Sequence, residues 1–153
     1  MASVRAFAVE AGSLKAIGRN NGAVVAEHEL RTAGNPVKIS LTTERPRVAP
    51  VWDDVAFVTA TIADKDGIPV PAASDLISFA IAGPGVIAAT DNGDNSSAGS
   101  FQSLARHAYQ GRCHAMIQAT AAMGKITISA SAPGLKPASL VIDAVHSGTP
   151  ESR

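Results

Sequence analysis

Apolar and polar positions alternate with a period of two along most of this chain, the pattern of half-buried β-strands. Residues 126–132 show it most clearly, with Ile126, Ile128, Ala130 and Ala132 facing one way and Thr127, Ser129 and Ser131 the other. Residues 37–41 (V-K-I-S-L) repeat the pattern. Residues 23–32 carry it too, placing Val24, Ala26, His28 and Leu30 opposite Glu27, Glu29 and Arg31. Further strands are predicted at 3–9, 13–19, 55–63, 76–82, 86–90, 113–120 and 139–144. Gly, Pro and Asn punctuate them. Asn20-Asn21-Gly22 suits a type I′ hairpin turn, which needs positive φ, and 64–67 (D-K-D-G) and 83–85 (G-P-G) are further turns. Residues 42–50, with two prolines, read as a loop or edge segment. No amphipathic helix of ordinary length is visible; residues 104–109 are read as a single helical turn. Short strands at this spacing predict an all-β fold, an antiparallel β-sandwich.

The pattern breaks at Ala33-Gly34-Asn35-Pro36, which marks a domain boundary. Residues 1–34 supply about three strands, too few to close a sandwich. They are expected to be terminal strands of an upstream β-domain, with an open edge and an apolar face that favour self-association or packing on a main domain. Residues 35–146 form the sandwich domain and 147–153 a frayed tail. The middle of the chain holds one long irregular stretch, 85–119, strand-like at both ends and turn-rich between them, an uncommon feature in a compact domain.

Composition narrows the function. Apolar residues make up 46% of 153, enough for a core, but aromatics only 4%, so Val, Ile, Leu and Ala must fill it. A formal net charge of zero gives no basic surface for nucleic acid or anionic membrane. Cys113 is the single cysteine, which excludes an intrachain disulfide; on an apolar strand face it reads as a small buried residue. The first residues lack the basic and apolar regions of a signal peptide, and no apolar run reaches membrane-spanning length.

The order of motifs carries a resemblance. G-S-L-K-A (12–16), Asn21-Gly22, and R-T-A-G (31–34) lead into N-P-V-K-I (35–39). Then come Phe57-Val58-Thr59, the 64–71 turn, and D-N-G (91–93) followed by a Ser-rich run and Phe101. R-H-A-Y-Q-G (106–111) and G-K-I-T-I-S-A-S-A (124–132) complete the series. The chain resembles the C-terminal immunoglobulin-like, invasin-like domain of family 2 glycoside hydrolases of the β-galactosidase type. The resemblance implies an immunoglobulin-like sandwich with a structural, non-catalytic role, packed on the catalytic domain of a parent enzyme that is periplasmic or secreted. It also implies that the acid and nucleophile lie in an upstream barrel. A carbohydrate-binding module using Trp52 and the 91–110 loop is one alternative, and an adhesin-type spacer, which shares the topology, is another.

Site residues follow from these readings. A retaining glycosidase needs two carboxyls about 5–5.5 Å apart; adjacent Asp53 and Asp54 read instead as loop residues, so no catalytic residue is assigned. Asp91 and Asp94 offer oxygen ligands for calcium, but without EF-hand spacing they read first as an Asx-rich turn. His28, His107, His114 and His146 form no metal motif, and no cofactor is expected. Trp52, Phe101 and Tyr109 are the aromatics able to stack on a sugar. The resemblance makes Phe101 and Tyr109, with Arg106, anchors of the long loop. It gives Trp52 no role, leaving it open as a binding residue or a cap on the sandwich end.

Overall fold

The computed structural model describes residues 12–21 and 23–146. Among the described residues there are eleven strands: β1 (Ser13–Asn20), β2 (Ala23–Arg31), β3 (Lys38–Thr43), β4 (Arg47–Val48), β5 (Ala56–Ala63), β6 (Leu76–Ala82), β7 (Gly85–Asp91), β8 (Ala105–His107), β9 (Arg112–Ala119), β10 (Gly124–Ser131) and β11 (Ala138–Ala144). The expected strand over 3–9 and the tail at 147–153 lie outside the described residues.

Two sheets face each other. One has the order β3-β5-β9-β7 and the other β4-β11-β10-β6-β8. In chain order, β3, β5, β9 and β7 stand where A, B, E and D stand in an immunoglobulin sandwich, and β6, β10 and β11 where C, F and G stand. Among the described residues, strand pairs within these sheets are antiparallel except β4 with β11, where Arg47 and Val48 run parallel to Asp143 and Ala144; an isolated parallel bridge also joins Lys38 to Lys136. The chain thus switches sheets after β3 and uses the short β4 to cover one edge, as expected of a proline-flanked segment.

The period-two pattern decides which side chains meet. Val58, Ala60 and Ile62 from β5, Cys113, Ala115 and Ile117 from β9, and Ile126, Ile128 and Ala130 from β10 are fully buried. Ile77 and Ile142 complete the same layer, and Phe79 is the one aromatic in this core among the described residues. β-Branched and small side chains interdigitate closely across such a layer. Burial also pushes the Cys113 thiol up to about 12, against a smaller opposing pull from Arg106, so it behaves as a core residue.

The reading of 104–109 as a helical turn is corrected: 105–107 is a strand. The edge of β6 offers unpaired backbone groups, and Leu76, Ile77 and Ser78 pair with His107, Arg106 and Ala105. Six residues are too few to nucleate an isolated helix. The chain then returns to β9 through Gln110 and Gly111, both at positive φ. A Cβ on Gly111 would sit 2.3 Å from the Val70 carbonyl oxygen, while the Gly111 amide donates to Ala73 O and its carbonyl accepts from Ile62 N. Gly111→Ala therefore meets both backbone strain and a clash with main chain. It should lower stability by roughly 2–3 kcal/mol, read as a lower urea midpoint with an unchanged m-value.

β1 and β2 form a separate two-stranded hairpin in which every described residue is exposed. Asn21 takes the positive φ that its turn requires.

Candidate functional site

Three regions of the surface bear on function: the loop joining the two sheets, the hairpin with its junction, and the outer face of the four-stranded sheet.

The loop begins with the Asx turns at the end of β7. Asp91 accepts from the amides of Asn92 and Gly93, and Asp94 accepts from the amide and hydroxyl of Ser96. Ser96 holds the Asp94 carboxyl below the usual carboxylate range. No group of three or more His, Cys, Asp or Glu suited to a metal ion occurs among the described residues. The Asn92 side-chain amide donates to His107 O at 2.9 Å, which ties β7 to β8 in the opposite sheet.

Arg106 lies at the centre of this region. Its side chain on β8 is buried, and the guanidinium donates to Thr90 O at 3.0 Å, Ser100 O at 2.7 Å and Gly99 O at 3.3 Å. Its Cζ lies 5.5 Å from the centre of the Phe101 ring, and Nε is buried without a partner. Phe101 itself is more than half exposed; its carbonyl accepts from Thr90 N at 2.6 Å, and Thr90 Oγ1 donates to Ser103 O. Tyr109 bridges to Arg112 and borders a shallow groove with Pro69, Pro71, Asn92 and His114.

The other sequence candidates are dispersed. His107 Nδ1 lies 2.9 Å from Ser74 O in one sheet, and His114 Nδ1 lies 3.1 Å from Thr59 Oγ1 in the other. His28 is exposed on the hairpin, opposite Ala16, and His146, the last described residue, is exposed. Asp53 is exposed. Asp54 accepts from Ala49 N and faces the Arg45 guanidinium at 2.8 Å, an ion pair outside hydrogen-bond geometry. Trp52 is 87% exposed, and its carbonyl accepts from Gln118 Nε2. Gln118 lies near the end of β9, whereas Tyr109 bridges to its first residue, about 20 Å away along the strand. Trp52 and Tyr109 therefore do not share one platform.

The junction of hairpin and sandwich is organised by Asp64. Its buried carboxylate accepts from Gly34 N at 2.8 Å and from Asp66 N and Ile68 N at 2.9 Å. The Gly34 bond, followed by the Ile68 bond, holds this carboxyl below its ordinary value of 3.8, against the opposing effect of desolvation. Sequence reading saw only a turn here. The informative signal was an Asp at the end of a strand and two residues before further turn residues.

The geometry is that of a known domain type. The family model described as "Glycoside hydrolase family 2 C-terminal domain 5" matches residues 39–141. The chain belongs to this family. It is 39% identical over 135 residues to a β-galactosidase, BoGH2A, of Bacteroides ovatus, a match covering 88% of this chain and 16% of that protein. A β-glycosidase from Bacteroides vulgatus superposes with a TM-score of 0.81 at 28% identity, over 88% of this chain and 17% of the other. This family 2 C-terminal domain therefore spans about a sixth of the length of those two relatives. The Yersinia pseudotuberculosis adhesin InvE superposes with a TM-score of 0.50 at 14% identity, over 93% of this chain and 42% of that one. That likeness shows the fold alone.

Two predictions follow from the loop and the junction. Arg106→Met should cost roughly 2–3 kcal/mol, because loop carbonyls lose charge-assisted donors, and amide exchange should accelerate in 92–104 before it does in β9 or β10. Asp64 stabilises the fold fully above the range where an unfolded Asp titrates, and that contribution is lost as pH falls through the lower folded value. Asp64→Asn should flatten the acid limb of a stability–pH curve, and in the wild type the Gly34 amide shift should titrate below 3.8.

Proposed function

We propose that this domain is a non-catalytic accessory part of a β-galactosidase-like glycoside hydrolase, packed against the catalytic portion of the same polypeptide. The observation that carries this reading is the hairpin. Leu14 faces Leu30, Ala16 faces His28 and Gly18 faces Ala26, so one side is largely apolar, yet all of it is exposed. The other side carries the Lys15–Glu27 and Arg31–Glu29 ion pairs. A two-stranded ribbon with one greasy face is marginal alone and gains its stability from a surface laid on that face. In this reading residues 1–34 belong to the end of an upstream β-domain and 35–146 to the accessory sandwich. Asp54 supports a non-catalytic role, since its carboxylate is committed to Ala49 and Arg45.

The test has two parts. Nitrophenyl β-galactoside and β-glucuronide incubated with this chain alone should show no hydrolysis above buffer; turnover that scales with protein would sink the reading. In the longer parent polypeptide, Leu14→Glu with Leu30→Glu should leave kcat unchanged and lower the melting temperature by several degrees. An unchanged melting temperature would remove the packing role.

A further inference from the structure

The outer face of the four-stranded sheet grades from apolar to polar in register. Phe57 on β5 sits beside Met116 on β9, which sits beside Ala89 on β7. Toward one end Gln118 pairs with Val86, next to the Trp52 turn. Toward the other end Thr42, Thr59, His114 and Asp91 form a polar row. Phe57 is 54% exposed although its strand neighbours Ala56 and Val58 are fully buried. Its described apolar neighbours on this face, Met116 and Ala89, leave about half of the ring open to solvent beside the threonines.

A groove of about 420 Å³ runs beside that ring, lined by Thr42, Thr43, Glu44, Arg45, Phe57 and Thr59. Its size lies within the range of small-ligand sites. The groove is held in shape: Thr43 Oγ1 accepts from Arg45 N and donates to Arg45 O. The Arg45–Asp54 ion pair then joins the groove to the turn that carries Trp52. That turn is itself closed by Val51 N to Ala49 O, Asp54 N to Val51 O and Ala49 N to Asp54 Oδ2. The indole is therefore presented to solvent on a fixed backbone.

We propose that this groove, with Phe57 as its stacking floor, binds a neutral oligosaccharide, with Trp52 on the neighbouring turn that the Arg45–Asp54 ion pair ties to it. The chemistry selects that class. An apolar ring face packs against the C–H face of a pyranose, while hydroxyl, carboxylate and guanidinium groups at its rim satisfy sugar hydroxyls. Glu44 and Arg45 contribute one charge of each sign, but Arg45 is already paired to Asp54, so Glu44 leaves the groove one negative charge, which disfavours anionic ligands. A protein partner would be better served by a wide apolar patch, whereas here the ring is flanked by hydrogen-bonding groups. Neither Phe57 nor Glu44 takes part in the hairpin contact proposed above, so the two readings stand or fall separately.

Trp52, the single tryptophan, makes the test direct. Its emission would be titrated in this chain with neutral oligosaccharides of galactose, glucose, xylose and mannose. At least one should give a saturable shift. Phe57→Ala should weaken that binding by about tenfold or more, the loss of one stacking ring. Glu44→Gln should weaken it as well, and Tyr109→Ala, on the distant groove, should leave it unchanged; all three should retain the wild-type circular dichroism spectrum. Absence of a saturable response to every sugar overturns the proposal. So does a response that survives both Phe57→Ala and Glu44→Gln. In the longer parent polypeptide, Trp52 should stay open to acrylamide quenching and keep the sugar response. Shielding with loss of response would overturn the proposal and assign the face to protein contact.

Discussion

A buried guanidinium holds together the side of this sandwich where the chain leaves regular structure. Between β7 and β9 the backbone crosses from one sheet to the other and back, and its carbonyls need donors away from any ladder. Arg106 supplies them to Thr90, Gly99 and Ser100. Asn92 adds a bond to His107 across the same gap. Arginine suits this place because its planar fork reaches several acceptors from one rigid group. The rest of the D-to-E side follows: β8 can dock on β6, the 92–104 loop is pinned at both ends, and Gly111 can return the chain to the inner face of β9.

With that side closed, the sandwich is rigid enough to present surfaces. Asp64 plays the corresponding part at the other junction, where one carboxylate gathers amides from the linker and from its own turn. The hairpin beyond it is chemically two-faced and unburied, which suits a ribbon that is completed by neighbouring structure. The outer sheet face carries a different device, an aromatic ring on β5 beside a mixed polar groove where β3 runs into the Glu44-Arg45 turn. Groups fixed on strands are placed more firmly than groups on loops.

Much of the fold was legible in the sequence, because strands buried on one face write their geometry as alternation. Ile126, Ile128 and Ala130 are buried as the pattern required, and β6 occupies the residues expected for it. The error at 104–109 arose because β8 is short and owes its conformation to pairing with β6, a long-range contact without local signature. The groove at Phe57 was missed although a signal existed: on β5 the aromatic shares a face with Thr59 and Thr61, opposite Val58, Ala60 and Ile62. The aromatics singled out instead, Trp52, Phe101 and Tyr109, are all exposed to some degree, but the ends of β9 keep Trp52 apart from Tyr109.

The sequence by itself determined the all-β class, the turns, the inward residues of most strands and the resemblance to the family 2 C-terminal domain. Those properties depend on local periodicity and motif order, which a linear chain displays. Tertiary structure decided which sheet each strand joined, that Arg106 would be buried among carbonyls, and that Glu44, Arg45, Phe57 and Thr59 would line one groove. These are contacts between residues distant along the chain. Their partners are fixed by strand pairing and burial, and no spacing within a segment records them.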